Sequence, residues 1–137
     1  MVCRSSALEL VVADARNVLN FERPIAVMLL GILGYVADLD EARSIVRRIM
    51  AAVPSGSYLL LRDNTDLDAA ARDAADDHAE SGVEPYHLRT VDELLSLFDG
   101  LELVEPGLVQ VAMWRPDQAD IGAEQATTDH AGLARKP

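Results

Sequence analysis

The run Ile25-Ala-Val-Met-Leu-Leu30 constrains this chain more than any other stretch. Six consecutive apolar residues, preceded by Pro24 and followed by Gly31, are too short for an ordinary helix and read as a strand covered on both faces. A second run, Tyr58-Leu-Leu-Leu61, follows the breaker Pro54-Ser55-Gly56. Between the two runs, Ile45, Val46, Ile49, Met50 and Val53 recur at helical spacing opposite Arg43, Arg47 and Arg48, and Asp38-x-x-Glu41 has the pattern of a capping box. The order strand, loop, helix, strand closes as a right-handed crossover. The two strands are therefore predicted to lie parallel in the sheet of an α/β fold, with binding sites beyond their carboxyl ends, at Gly31 to Val36 and Arg62 to Asp66.

Composition narrows the classes of partner. The formal charge is −11, from 23 acids and 12 Lys and Arg, and the Arg residues are scattered apart from Arg47-Arg48. Such a surface repels a phosphate backbone, so no nucleic-acid partner is expected. Cys3 is the single cysteine, which leaves neither an intramolecular disulfide nor a cysteine zinc cluster and fits an intracellular setting. The apolar runs fall well short of the roughly 20 residues of a membrane span, and the first residues have no signal-peptide core. The expectation is a soluble cytoplasmic protein with no membrane partner.

Along the rest of the chain, Leu8, Leu10, Val11 and Val12 suit a short strand that ends at Ala13-Asp14-Ala15-Arg16. Asp66 to Ser81 is rich in Ala and Asp and reads as a helix with a thin apolar stripe. Thr90-x-x-Glu93 is a second capping box, followed by an apolar face of Val91, Leu94, Leu95 and Phe98. Leu101 to Val104 and Val109 to Trp114 read as two strands of an antiparallel ribbon, joined by a tight turn at Pro106-Gly107. From Pro116 onward the chain is polar and aperiodic, which predicts disorder. The domain is therefore expected to span 1–116, with a disordered tail over 117–137.

Three phrases carry a family resemblance. Ile25-Ala-Val-Met-Leu-Leu-Gly-Ile-Leu-Gly-Tyr-Val-Ala-Asp38 resembles the fourth strand and following loop of S-adenosylmethionine-dependent methyltransferases, and Arg48 to Leu61 resembles their next helix, Pro-Gly turn and fifth strand. Phe98-Asp-Gly-Leu-Glu-Leu-Val-Glu-Pro-Gly-Leu-Val-Gln-Val-Ala-Met-Trp-Arg-Pro116 is similar to the C-terminal signature of an actinobacterial family of S-adenosyl methyltransferases. The resemblance implies a partial Rossmann-like methyltransferase sheet flanked by helices, strands 3 to 7 of an order that runs 3-2-1-4-5-7-6 in the family, mostly parallel and closed by a C-terminal antiparallel hairpin.

It also implies S-adenosyl-L-methionine as cofactor and an unspecified methyl acceptor. Asp14 and Ala15 would then sit at the edge that contacts the adenine, and Leu30, Gly31, Ile32 and Tyr35 beside the cofactor. The family's glycine-rich loop after its first strand, and its ribose-binding acid, are not found in this chain. A truncated domain of this kind leaves Ile25 to Leu30 as an apolar edge, open to a second copy or another polypeptide.

Bland readings stand beside these. Asp14 also suits a strand-end acid, Gly31 and Gly34 also suit a plain turn, and Tyr35 can stack on a ligand or pack under the helix. His78, His87 and His130 match no metal-ligand spacing, so no metal is expected. Asp63, Asp66 and Asp68 look like a calcium loop only superficially and read better as solvated acids at a helix start. Ser55, Ser57, Thr65 and Ser81 have no recognisable base, and no catalytic residue is assigned. Methyl transfer works largely by positioning two reactants and requires no nucleophilic side chain.

Overall fold

The computed structural model describes residues 5–66, 82, 85–122 and 128–137. Its elements in chain order are α1 (Ser5–Arg16), β1 (Ala26–Leu30), α2 (Leu39–Ala52), β2 (Tyr58–Asn64), α3 (Val91–Ser96), β3 (Glu102–Leu103), β4 (Val109–Gln110) and β5 (Asp129–Arg135). Short 3-10 turns occupy Leu33–Tyr35 and Val111–Met113.

The two apolar runs are parallel strands, in register from Ala26 opposite Tyr58 to Leu30 opposite Arg62. The connecting helix α2 begins as its sequence requires: the Asp38 carboxylate accepts from the Asp40 N–H at 3.1 Å. Ala42, Ile45, Val46, Met50 and Val53 are buried, each large side chain contributing about 1.5–3 kcal/mol before entropy is counted. They join Leu59 and Leu61 of β2 and Leu94, Leu97 and Phe98 near α3 in one core. The second capping box is complete, with Thr90 accepting from Glu93 N and Glu93 accepting from Thr90 N. Leu95, expected on the apolar face, is exposed, and Leu97 is buried in its place.

Strand alternation shows which face the core occupies. Val27 and Leu29 of β1 lie beside Leu59 and Leu61 and pack against the core, whereas Ala26, Met28 and Leu30 point to the other face and are exposed. The expectation that β1 is covered on both faces is corrected: among the described residues, the helices sit on one face only.

Three further expectations are corrected. Residues 8–12 form a helix and not a strand, because Leu8, Val12 and Ala15 recur at helical spacing and turn toward α2. Glu9 pairs with Arg48 at 2.9 Å, and Arg16 donates to the Ala52 carbonyl at 3.3 Å. The strands at 102–103 and 109–110 do not form a ribbon with each other; both pair antiparallel with β5, although Gly107 N does donate to Val104 O at 2.8 Å in the turn between them. Finally, 129–135 is no disordered tail.

The strand β5 inserts between β2 and β3, giving the sheet order β1-β2-β5-β3 with β4 also on β5. It pairs with β2 over seven residues, from Tyr58 opposite Arg135 to Asn64 opposite Asp129. Its small residues make the fit: a Cβ at Gly132 would stand 2.9 Å from the Phe98 ring, and Ala134 is fully buried. The observed order corresponds to the 4-5-7-6 portion of the family sheet, and no described residue before β1 supplies a strand 3.

Candidate functional site

Because β1 and β2 are parallel and level, their carboxyl ends form one rim. Beyond Leu30 the chain turns at Gly31, whose φ of +73° favours glycine and whose N–H donates to Arg62 O at 2.8 Å. A Cβ there would meet only the Arg62 guanidinium, at 3.5 Å. The turn Leu33–Tyr35 follows, with Leu33 and Gly34 buried while Leu30, Ile32 and Tyr35 stay exposed at 52%, 52% and 40%. These exposures leave an apolar strip on the rim.

Behind that strip lies a buried polar group that sequence reasoning missed. The Arg89 side chain, only 4% exposed, donates through Nη1 to Leu33 O at 2.7 Å and through Nη2 to Val36 O. Burial lowers its pKa, and the charges of Asp63, Glu93 and Asp38 act against that fall. Asp63, 2% exposed, has its pKa raised from 3.8 to about 6 by burial, opposed by the N–H groups of Asn64 and Gly34 and by the charges of Arg89 and Arg62. Its Oδ2 has no hydrogen-bond partner among the described residues. Reading Asp63 as a solvated acid is thereby corrected; the signal was present in the alternation Leu59, Leu61, Asp63, which places all three on the buried face of β2, with Thr65 buried just beyond it.

Directly opposite Asp63 on β5 is His130, also buried, with Nδ1 unpartnered among the described residues and its pKa lowered by burial against the opposing charge of Asp129. On the other face of the same strands, Arg62 meets Asp129 through Nη2 at 2.6 Å and Nε at 2.7 Å. The segment before α3 completes the rim. His87 N donates to Gly34 O at 2.6 Å, and a Cβ built at Gly34 would overlap the Tyr86 ring, so glycine is required there by contact rather than by backbone conformation. Tyr35 packs edge-on against Tyr86, centroids 5.3 Å apart.

The sequence-predicted residues therefore divide. Leu30, Gly31, Ile32 and Tyr35 share the carboxyl rim. Asp14 and Ala15 lie in the last turns of α1, beside the carboxyl end of α2 where Arg16 meets Ala52, about 20 Å of helix from the rim at which α2 starts. The strand end expected to carry them does not exist. His78 and Asp68, and the expected helix at Asp66 to Ser81 apart from Asp66 itself, fall outside the described residues. Among the described residues no three metal-ligating side chains converge, and no helix is long and apolar enough to cross a membrane.

An open sheet in which a helix joins two parallel strands and the final strand enters antiparallel between its neighbours defines the Rossmann-like fold of S-adenosylmethionine-dependent methyltransferases. A Methanosarcina mazei protein of that class shares the fold over 97% of this chain and 78% of its own, with a TM-score of 0.55 at 14% identity. More specifically, residues 4–137 match the family described as S-adenosyl methyltransferase, and the chain belongs to that family.

A DUF574 family protein from Streptomyces avermitilis is 38% identical over 92% of the chain, with a TM-score of 0.83. A Thermobifida fusca protein provisionally named a methyltransferase is 32% identical over 94%, also with a TM-score of 0.83. The chain spans 50% of the length of each of these two. A comparison with curated proteins finds no match.

Proposed function

We propose that this chain forms one wall of a methyl-transfer site, with S-adenosyl-L-methionine lying along the carboxyl rim of β1 and a separate acceptor presented to it. The observation that carries this reading is the apolar strip at Leu30, Ile32 and Tyr35, exposed on a rim otherwise braced by buried polar contacts. The strip suits the group: Gly31 leaves room for close approach, and the exposed side chains offer flat apolar contact for a base or a methionine chain. When bound, the cofactor supplies an electrophilic methyl on a sulfonium. The chain's own residues then bind, orient and exclude water, and no catalytic acid or base is assigned to them.

Calorimetric titration of the 137-residue chain with S-adenosylmethionine tests this. Micromolar affinity, lost on replacing Gly31 with a β-branched residue, is the expected result. Millimolar or absent affinity overturns the reading for this polypeptide.

A second reading is favoured by a different observation. The edge strand β1 exposes Met28 at 57% and Leu30 at 52% on a face that no described helix covers. Such an edge pairs readily with another chain, either a second copy or a separate polypeptide, and would make this a non-catalytic interaction module. Sedimentation velocity across a hundredfold concentration range, about the span needed to see a weak equilibrium, decides it. Concentration-dependent association supports pairing, and a clean monomer throughout rules out self-pairing.

A further inference from the structure

We infer that Arg89 is a positioning residue for the rim, tying the carboxyl ends of β1 and β2 together so that the turn Leu33–Tyr35 holds Ile32 and Tyr35 toward the cofactor. The inference rests on the reading that Leu30 to Tyr35 flank that cofactor. Arg89 reaches the segments that follow both strands with different parts of itself. Its main chain lies beside the end of β2, where Thr65 bridges to it and Asp66 N donates to its carbonyl at 3.2 Å. Its guanidinium reaches across to the turn after β1 and takes the carbonyls of Leu33 and Val36.

Neither carbonyl belongs to a strand or to α2, so the side chain braces the turn and not the core ladder. The two carbonyls are three residues apart, and the guanidinium meets them through two nitrogens held at a fixed spacing in one plane, a geometry that the single nitrogen of a lysine does not reproduce. The neighbouring contacts act in the same sense: His87 N bonds Gly34 O, and the Tyr86 ring fills the space beside Gly34 while meeting Tyr35 edge-on. The charge of Asp63 on β2 acts against the cost of burying the guanidinium.

Hydrogen exchange resolved by residue, on the full chain and on Arg89→Lys and Arg89→Met, tests the assignment. The amides to follow are Tyr35 and Val36, bonded to Ile32 O and Leu33 O. A brace confined to the turn predicts exchange about tenfold faster there in Arg89→Met and an intermediate rise in Arg89→Lys, with α2 and β2 amides within about twofold of the parent. A turn as protected as in the parent, or acceleration spread evenly through α2 and β2, overturns it. Should Arg89→Met not fold, Arg89→Lys decides alone by the same criterion.

Titration with S-adenosylmethionine separates this inference from the reading beneath it. Weakening by about tenfold in Arg89→Lys at unchanged melting temperature supports both. A parent chain that binds nothing but shows turn-specific exchange keeps the brace and discards the cofactor. A faster turn with unchanged cofactor affinity discards the positioning role.

Discussion

The strands β1 and β5 invert what their compositions suggest. Ala-Val-Met-Leu-Leu, apolar throughout, forms an edge strand with three of its five side chains exposed. Asp-His-Ala-Gly-Leu-Ala-Arg, with glycine, two alanines and charged ends, forms the central strand that β2, β3 and β4 all pair with. Strand propensity measures how a side chain fits its neighbours more than how its backbone prefers to lie. β5 is held by seven register pairs with β2 and by the closeness that small residues permit beneath Phe98. β1 is held by one neighbour and half a core.

Removing residues 129–137 should break this comparison most severely, because it deletes the strand that joins β2 to β3 and β4. Loss of cooperative thermal unfolding is expected, and a truncated chain that melts as the parent does would return this segment to the status of a tail.

The next effect concerns Asp63, the polar residue that β2 places opposite β5. Its folded pKa of about 6 lies above the ordinary 3.8, so between these values the folded state holds more protons than the unfolded one. The contribution of Asp63 to stability should therefore be fully present below about pH 4 and be lost as pH rises through about 6, by roughly 3 kcal/mol at 1.36 kcal/mol per unit. Asp63→Asn should remove that slope in urea melts across pH 4 to 8, and a slope unchanged by the substitution would place its origin elsewhere.

Gly132→Val adds bulk where a Cβ already crowds Phe98 at 2.9 Å, and overpacking of this kind costs about 1–3 kcal/mol. Chemical denaturation of this variant reads the cost, and a variant as stable as the parent would mean that β5 has more room than its neighbours allow. Met28→Lys on exposed β1 stands at the other extreme. A change within about 0.5 kcal/mol is expected in the same assay, together with weaker association by sedimentation. A loss of several kcal/mol would mean that Met28 is covered in the folded protein.

Much of the site was legible in the residues. The parallel pair, its crossover helix and the rim at Gly31 follow from two apolar runs bounded by Pro and Gly. Arg89 was not legible, because nothing in Tyr86-His-Leu-Arg89 marks a side chain whose acceptors are carbonyls 53 and 56 residues away. Asp63 was half legible, its burial encoded in the period-two pattern but hidden by the acids that follow it.

The sequence by itself determined the local elements that carry their own signal: α2 by its capped amphipathic stripe, α3 by its capping box, and β1 and β2 by uninterrupted apolar residues. Only the tertiary structure decided that 5–16 winds as a helix against α2, that β3 and β4 abandon each other for β5, and that Met28 and Leu30 of β1 stay exposed. The physical reason is common to all three. A short segment of weak periodicity takes the conformation that best fills the space beside it, and that space is defined by residues far away in the chain.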